Sequence, residues 1–181
     1  IVRCWTDDGV EIFYCASHAV NERVGPIVRL EFDEAVVTTQ SKTSGFVATL
    51  NDGTRCEYGD PSANVENKLW LAMDIARGHG RPLCPPEAAG MQTLCMNGMQ
   101  ESKPDIAPFP NDLVRKQGEP GDQLTYVEGL VALLQRCFDQ NQMPSELGDV
   151  AWAQCGRKID LSGYSSFPSD APQARHRTTE R

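Results

Sequence analysis

The sequence predicts an α+β fold: an open, mostly antiparallel β-sheet with helices packed on one face and the other face left for association. Two observations carry this. The first third reads as short strands joined by tight turns, and beyond it the apolar period changes to that of helices. Strands with two-residue connections pair antiparallel, because parallel neighbours need crossovers of a dozen or more residues.

Asp7-Asp8-Gly9 reads as a turn between strands Ile1 to Thr6 and Val10 to Val20, and Asn51-Asp52-Gly53 as a hairpin turn between Phe46 to Leu50 and Thr54 to Tyr58. Ile27 to Phe32 and Ala35 to Thr39 are two further strands, separated by Asp33-Glu34. In the first of these Leu30 and Phe32 share one face, and Arg29 and Glu31 the other. After an Asp60-Pro61-Ser62 start, Val65, Leu69, Met73 and Ala76 recur at helical spacing, and Gly78 with Gly80 closes the helix. Gly78-His79-Gly80 therefore reads as a C-cap. A second helix runs from Glu87 to about Ser102, with Ala88, Met91, Leu94, Cys95 and Met99 as its core side packed against the sheet. Pro104 to Pro120 is a polar, proline-punctuated connection with room for one short helical turn. A third helix is expected from Thr125 to Gln140 on the stripe Val127, Leu130, Val131, Leu134 and Phe138. The chain then returns to irregular or edge-strand structure through Trp152 and Ile159. Residues 1–164 form one domain in this reading, and 165–181 a disordered tail rich in Ser, Pro, Arg and Thr.

A chain of 181 residues with 40% hydrophobic residues is long enough to bury a core. A net charge of -8 argues against nucleic acid or an anionic membrane as partner, since the average field repels both. No apolar run reaches the ~18 residues of a membrane span, and the opening has no signal-peptide pattern. The start at Ile1, directly in a strand pattern, reads as a fragment or a chain whose front part was removed. The seven cysteines, Cys4, Cys15, Cys56, Cys84, Cys95, Cys137 and Cys155, form no C-x-x-C pair and have no histidine at ligand spacing. They read as reduced, buried thiols of a cytosolic protein, without metal site or disulfide framework.

Motifs for chemistry are missing. There is no G-x-G-x-x-G after a strand, no G-x-x-x-x-G-K-[ST], no G-x-S-x-G and no H-E-x-x-H. His18 is placed in the second strand, where a polar sheet face could wall a hydroxylated ligand, although a satisfied core histidine is the plainer reading. Ser17-His18 is no nucleophile-base pair, because adjacent strand residues face opposite sides. His79 sits on a loop beside Arg81, an anion or substrate contact at best and a surface residue otherwise. His176 falls in the tail. Asp7-Asp8, Asp33-Glu34 and Asp139 read as solvated turn and helix-end acids.

Ile75-Ala76-Arg77-Gly78-His79-Gly80-Arg81-Pro82, followed by a helix carrying Gln92-Thr93-Leu94-Cys95-Met96-Asn97-Gly98-Met99-Gln100-Glu101-Ser102, resembles the C-terminal domain of the glucose-fructose oxidoreductase / inositol dehydrogenase / rhizopine catabolism (Gfo/Idh/MocA) family. Asp8-Gly9-Val10 and Pro144-Ser145-Glu146-Leu147 fit the same picture. The resemblance covers roughly residues 1–164 and rests on short motifs. It implies the substrate-side and oligomerisation domain of an NAD(P)-dependent dehydrogenase acting on a sugar or polyol, catalytically incomplete alone. NAD or NADP would sit on a missing N-terminal Rossmann domain, and the family's cofactor glycines, its lysine and its catalytic helix have no matching positions here. No catalytic, cofactor or metal residue is carried over; His18, Arg29, His79 and Arg81 remain candidates for contacting a sugar-like molecule. The implied partners are the missing domain and a second copy meeting through the open sheet face. The alternative is a stand-alone homodimeric binding or assembly module without activity. A stand-alone isomerase or hydrolase is weaker still, for want of a nucleophile or metal constellation.

Overall fold

The computed structural model describes residues 1–39, 45–60 and 63–168. It divides into two compact units.

The first unit comprises Ile1–His18, Cys84–Arg115 and the chain from Ala132 onward. It opens with an antiparallel hairpin of β1 (Val2–Trp5) and β2 (Glu11–Tyr14). Its turn shows why Asp-Gly was informative. Thr6 N–H donates to Val10 O and Gly9 N–H to Thr6 O, both at 3.0 Å, and Gly9 takes a φ of 88° that a side chain resists. β2 stops at Tyr14, not at Val20 as the sequence suggested, because the chain bends at His18 and Ala19. Helix α2 (Pro86–Ser102) belongs to this unit. Its first turn holds Pro86, whose missing N–H costs nothing there, and Glu87, whose charge suits the positive helix end.

The second unit comprises Ala19–Leu83 and Lys116–Val131. It holds a four-stranded antiparallel sheet in the order β3 (Val28–Glu31), β4 (Ala35–Thr39), β5 (Val47–Leu50), β6 (Arg55–Glu57). The β5–β6 turn repeats the bonding of the first hairpin at the same offsets: Leu50 N–H donates to Thr54 O and Gly53 N–H to Leu50 O, both at 2.9 Å. The register places Leu30, Val37, Ala48 and Cys56 in one row across the sheet, and Arg29, Thr38, Val47 and Glu57 in the neighbouring row on the opposite face. One face is thus largely apolar and the other mixed, as the alternation implied. Ala48 and Thr39 are buried, whereas Leu30 on edge strand β3, and Phe32 just beyond it, are exposed.

Helix α1 (Asn67–Ala76) lies in this unit and ends as expected. Gly78 N–H donates to Ile75 O at 2.9 Å and His79 N–H to Asp74 O at 2.8 Å, with Gly78 at φ 86°. This pair of bonds is the Schellman closure that a glycine permits. The anticipated start at Pro61-Ser62 lies outside the described residues.

The α+β class and the open antiparallel sheets match the expectation, with one difference in organisation: among the described residues the strands divide among three sheets. The third is formed by β7 (Val114–Gln117) and β8 (Leu124–Val127), in segments read from the sequence as a connection and as the front of a helix. Thr125, Tyr126 and Val127 are strand formers, and Gly129 at φ 77° turns the chain before α3 (Leu130–Gln140) begins. Gly118 and Gly121, both at positive φ, make the β7–β8 turn. α3 buries Leu130 as its stripe implied, and also Cys137, which the stripe did not include; a 3-10 turn follows at Pro144–Glu146. The chain from Ala151 to Phe167 is irregular, and residues 169–181 of the expected tail lie outside the described residues.

The helix faces correct the sequence reading more sharply. Of the expected stripe, Val65, which precedes α1, and Leu69 and Ala76 are exposed while Met73 is half-buried, and on α1 Leu71 and Ile75 are half-buried beside it. On α2, Ala88 and Met91 are exposed, while Gly98 and Glu101 are buried.

Candidate functional site

The four residues singled out from the sequence do not converge. His18 is exposed at the bend after β2, so its placement in a strand is corrected, and it falls in the first unit. Arg29, His79 and Arg81 fall in the second, all exposed. Arg29 Nε is paired with Glu31 Oε1 at 2.6 Å along β3, and the His79 backbone serves the α1 cap. No hydrogen bond or ion pair joins any two of the four among the described residues.

The polar chemistry that does converge is in the first unit, at two places the sequence did not reveal. At the C-terminal end of α2, Glu101 is buried and its Oε1 accepts from Tyr164 Oη at 2.6 Å. Arg157 Nε donates to Glu101 O at 3.1 Å, Arg157 N–H to Ser102 O at 2.9 Å, and Ser102 Oγ to Arg157 O at 2.5 Å. Two glycines admit this approach: a Cβ on Gly98 would lie 2.9 Å from the Leu161 methyls, and one on Gly156 would overlap Ser102 Oγ. The result binds Gly156 to Tyr164 along α2.

At the hairpin, Arg3 reaches Glu146 Oε1 at 2.8 Å and Asn141 O at 2.5 Å, lies 3.6 Å from Glu11, and sits over the Phe13 ring. Asn141 Nδ2 donates to Glu11 Oε1 at 2.8 Å, and Lys158 Nζ lies over Trp5 at 5.3 Å. Arg3 and Glu146 are 143 positions apart, so no local pattern could pair them.

At neutral pH four titratable groups of this unit keep one protonation state, the Tyr164 phenol and Cys15 thiol protonated and the Glu146 and Asp149 carboxyls ionised. Burial, then the bond to Glu101, pushes the Tyr164 phenol up to about 12, and burial pushes the Cys15 thiol up to about 11. The backbone N–H of Met143, then Arg3, holds the Glu146 carboxyl below its usual range, and Arg136 does the same for Asp149. A neutral acid bound more tightly in the folded chain stabilises below its unfolded pKa and stops doing so above its folded one. The ordinary values are 9.0 for Cys15 and 10.0 for Tyr164, so stability is expected to fall as pH rises from about 9 to 12. The depressed carboxylates work the other way: their contribution is present above the ordinary 4.5 of Glu146 and 3.8 of Asp149 and fades as pH falls below them. Melting temperatures across alkaline pH check the first limb. Tyr164→Phe, which has no phenol to titrate, is expected to show a shallower decline.

Among the described residues no group of three or more His, Cys, Asp or Glu is placed to hold a metal ion, and no helix is long and apolar enough to cross a membrane. Compared with known proteins, the chain matches no family model, no curated protein and no solved structure.

What the second unit offers instead is bare apolar surface on an ordered element. Leu69 and Trp70 of α1 are 63% and 60% exposed, and no residue of that helix is buried.

Proposed function

We propose that this chain is an association module whose apolar surface, centred on α1, meets a second copy of itself. The observation that carries this is the state of α1: ten residues, none buried, with Leu69 and Trp70 turned to water. Isolated helices shorter than ~12–15 residues are marginal in water and owe their stability to packing of an apolar face. A second copy suits the face, because its flanks carry both signs, Lys68 and Arg77 with Glu66 and Asp74, and so lack the single-sign field that would repel an identical surface. Leu30 and Phe32 at the β3 edge of the same unit are also exposed apolar side chains.

On the Gfo/Idh/MocA resemblance, the module would serve a sugar or polyol oxidoreductase whose NAD(P) fold lies on other polypeptide, with Arg29 or Arg81 touching substrate. A strand followed by G-x-G-x-x-G about 150 residues upstream in the same reading frame supports that placement, and a start codon near Ile1 removes it. A cytosolic setting fits all seven cysteines standing as free thiols.

Sedimentation velocity tests the association. The chain at tens of micromolar is expected to sediment as a dimer. Leu69→Glu with Trp70→Glu is expected to weaken that dimer by roughly 30-fold or more, since exposed aromatic anchors dominate such contacts. A wild-type chain that stays strictly monomeric overturns the reading.

A further inference from the structure

β3 is an edge strand of the second unit's sheet, and among the described residues no strand lies beyond it. Phe32 N–H donates to Ala35 O at 2.9 Å, and the register with β4 sets Leu30 opposite Val37 and Val28 opposite Thr39. Antiparallel partners alternate between bonded and non-bonded pairs. Val28, Leu30 and Phe32 therefore turn their backbone groups toward β4, and the N–H and C=O of Arg29 and Glu31 point outward. Arg29, Leu30, Glu31 and Phe32 are all exposed, and neither a proline nor a break in register interrupts the run. Such an edge is a template for another strand. The opposite edge, β6, offers only the three residues Arg55–Glu57.

From this edge we infer that β3 pairs antiparallel with β3 of a second copy about a two-fold axis at Leu30, joining two four-stranded sheets into one. The pairing rests on the reading that a second copy is the partner, and it gives that association a register. Because the outward groups belong to Arg29 and Glu31, bonded pairs across the junction join these positions to each other. Arg29 opposite Arg29, or Glu31 opposite Glu31, sets like charges face to face, which is destabilising. Arg29 opposite Glu31 of the second copy sets unlike charges together twice, once on each side of the axis. Within each strand Arg29 Nε already lies 2.6 Å from Glu31 Oε1, with both side chains more than half exposed, so the four groups close a ring of alternating charge. On the other face the same register sets Leu30 against Leu30 and Val28 against Phe32, apolar against apolar. A strand of different sequence needs that alternation by design, whereas an identical one has it by symmetry.

Leu30→Cys tests the register. Opposite residues of a non-bonded pair lie about 4.5 Å apart at Cα, within reach of a disulfide, whereas residues four positions out of register lie about 13 Å apart. Phe32→Cys is the control, because Phe32 is at least as exposed as Leu30 but faces Val28. Each full-length variant, at tens of micromolar, is equilibrated with reduced and oxidised glutathione, alkylated, digested and searched for a peptide linked to its own copy. Leu30→Cys is expected to give a self-link through position 30 in roughly fivefold excess over any self-link through position 32 of Phe32→Cys. Adding Arg29→Glu is expected to lower the yield roughly threefold or more, and adding Glu31→Arg as well to restore it. A wild-type chain that sediments as a dimer while Leu30→Cys gives no self-link overturns the pairing and leaves association through α1 standing. A wild-type monomer with no self-link overturns both. Self-linkage through position 32, or a yield indifferent to the charge at position 29, overturns this register.

Discussion

Gly45→Val is expected to cost about 3–5 kcal/mol and to lower the melting temperature by roughly 10 °C. Gly45 sits at φ 68°, and a Cβ there would lie 2.7 Å from Gly59 O and 2.9 Å from Gly59 C. Those atoms belong to a backbone pairing that cannot step aside: Phe46 N–H donates to Gly59 O at 3.2 Å, and Tyr58 N–H to Phe46 O at 2.8 Å. A β-branched side chain at positive φ adds its own strain. Gly59→Ala makes the control, since Gly59 shares the left-handed conformation, at φ 59°, but has open space where its Cβ would stand. It should cost only ~1 kcal/mol. Urea titrations of the three chains measure both values, and equal losses at the two positions would mean that backbone conformation rather than the close approach sets the cost.

Leu130→Ala is expected to remove about 3 kcal/mol, within the ~2–5 kcal/mol range of buried leucine truncations. Leu130 opens α3 and is only 5% exposed, one of four hydrophobic residues that count as buried among those described. With so few buried hydrophobic side chains, each carries a large share of a total stability that for a domain is ~5–15 kcal/mol. Leu130→Met keeps most of the volume and should cost under ~1.5 kcal/mol. Chemical denaturation separates the two variants. A loss below about 1 kcal/mol for alanine would place Leu130 in surroundings able to collapse onto the smaller side chain.

The candidate site was less legible than the fold. His18, Arg29, His79 and Arg81 were chosen by residue type and local setting, and the structure leaves all four exposed and scattered. The groups that do meet, Glu101 with Tyr164 and Arg3 with Glu146, lie 63 and 143 positions apart. Nothing in a glutamate near the end of an amphipathic helix announces that it will be buried, because its partner arrives from distant chain. The small residues Gly98 and Gly156 were the available signal: a glycine within a helix and another beside Cys155 mark close approach, though not of what.

The sequence by itself determined the elements whose stabilising bonds are local. Asp-Gly at two matching offsets produced two hairpins with the same hydrogen bonds, Gly78 produced the α1 closure, and Pro85-Pro86 with Glu87 produced the start of α2. Each of these depends on φ preferences and bonds reaching no more than five residues along the chain. Tertiary structure decided the rest. It drew Leu124–Val127 into a strand beside Val114–Gln117, although the apolar spacing there also suits a helix, because Val127 contributes equally to either period while strand pairing satisfies a backbone that Gly129 prevents from continuing as helix. It also chose which faces of α1 and α2 are covered, and it set Arg3 against Glu146. Burial and long-range contact are properties of what the remainder of the chain brings alongside, and no residue carries that information in its own neighbourhood.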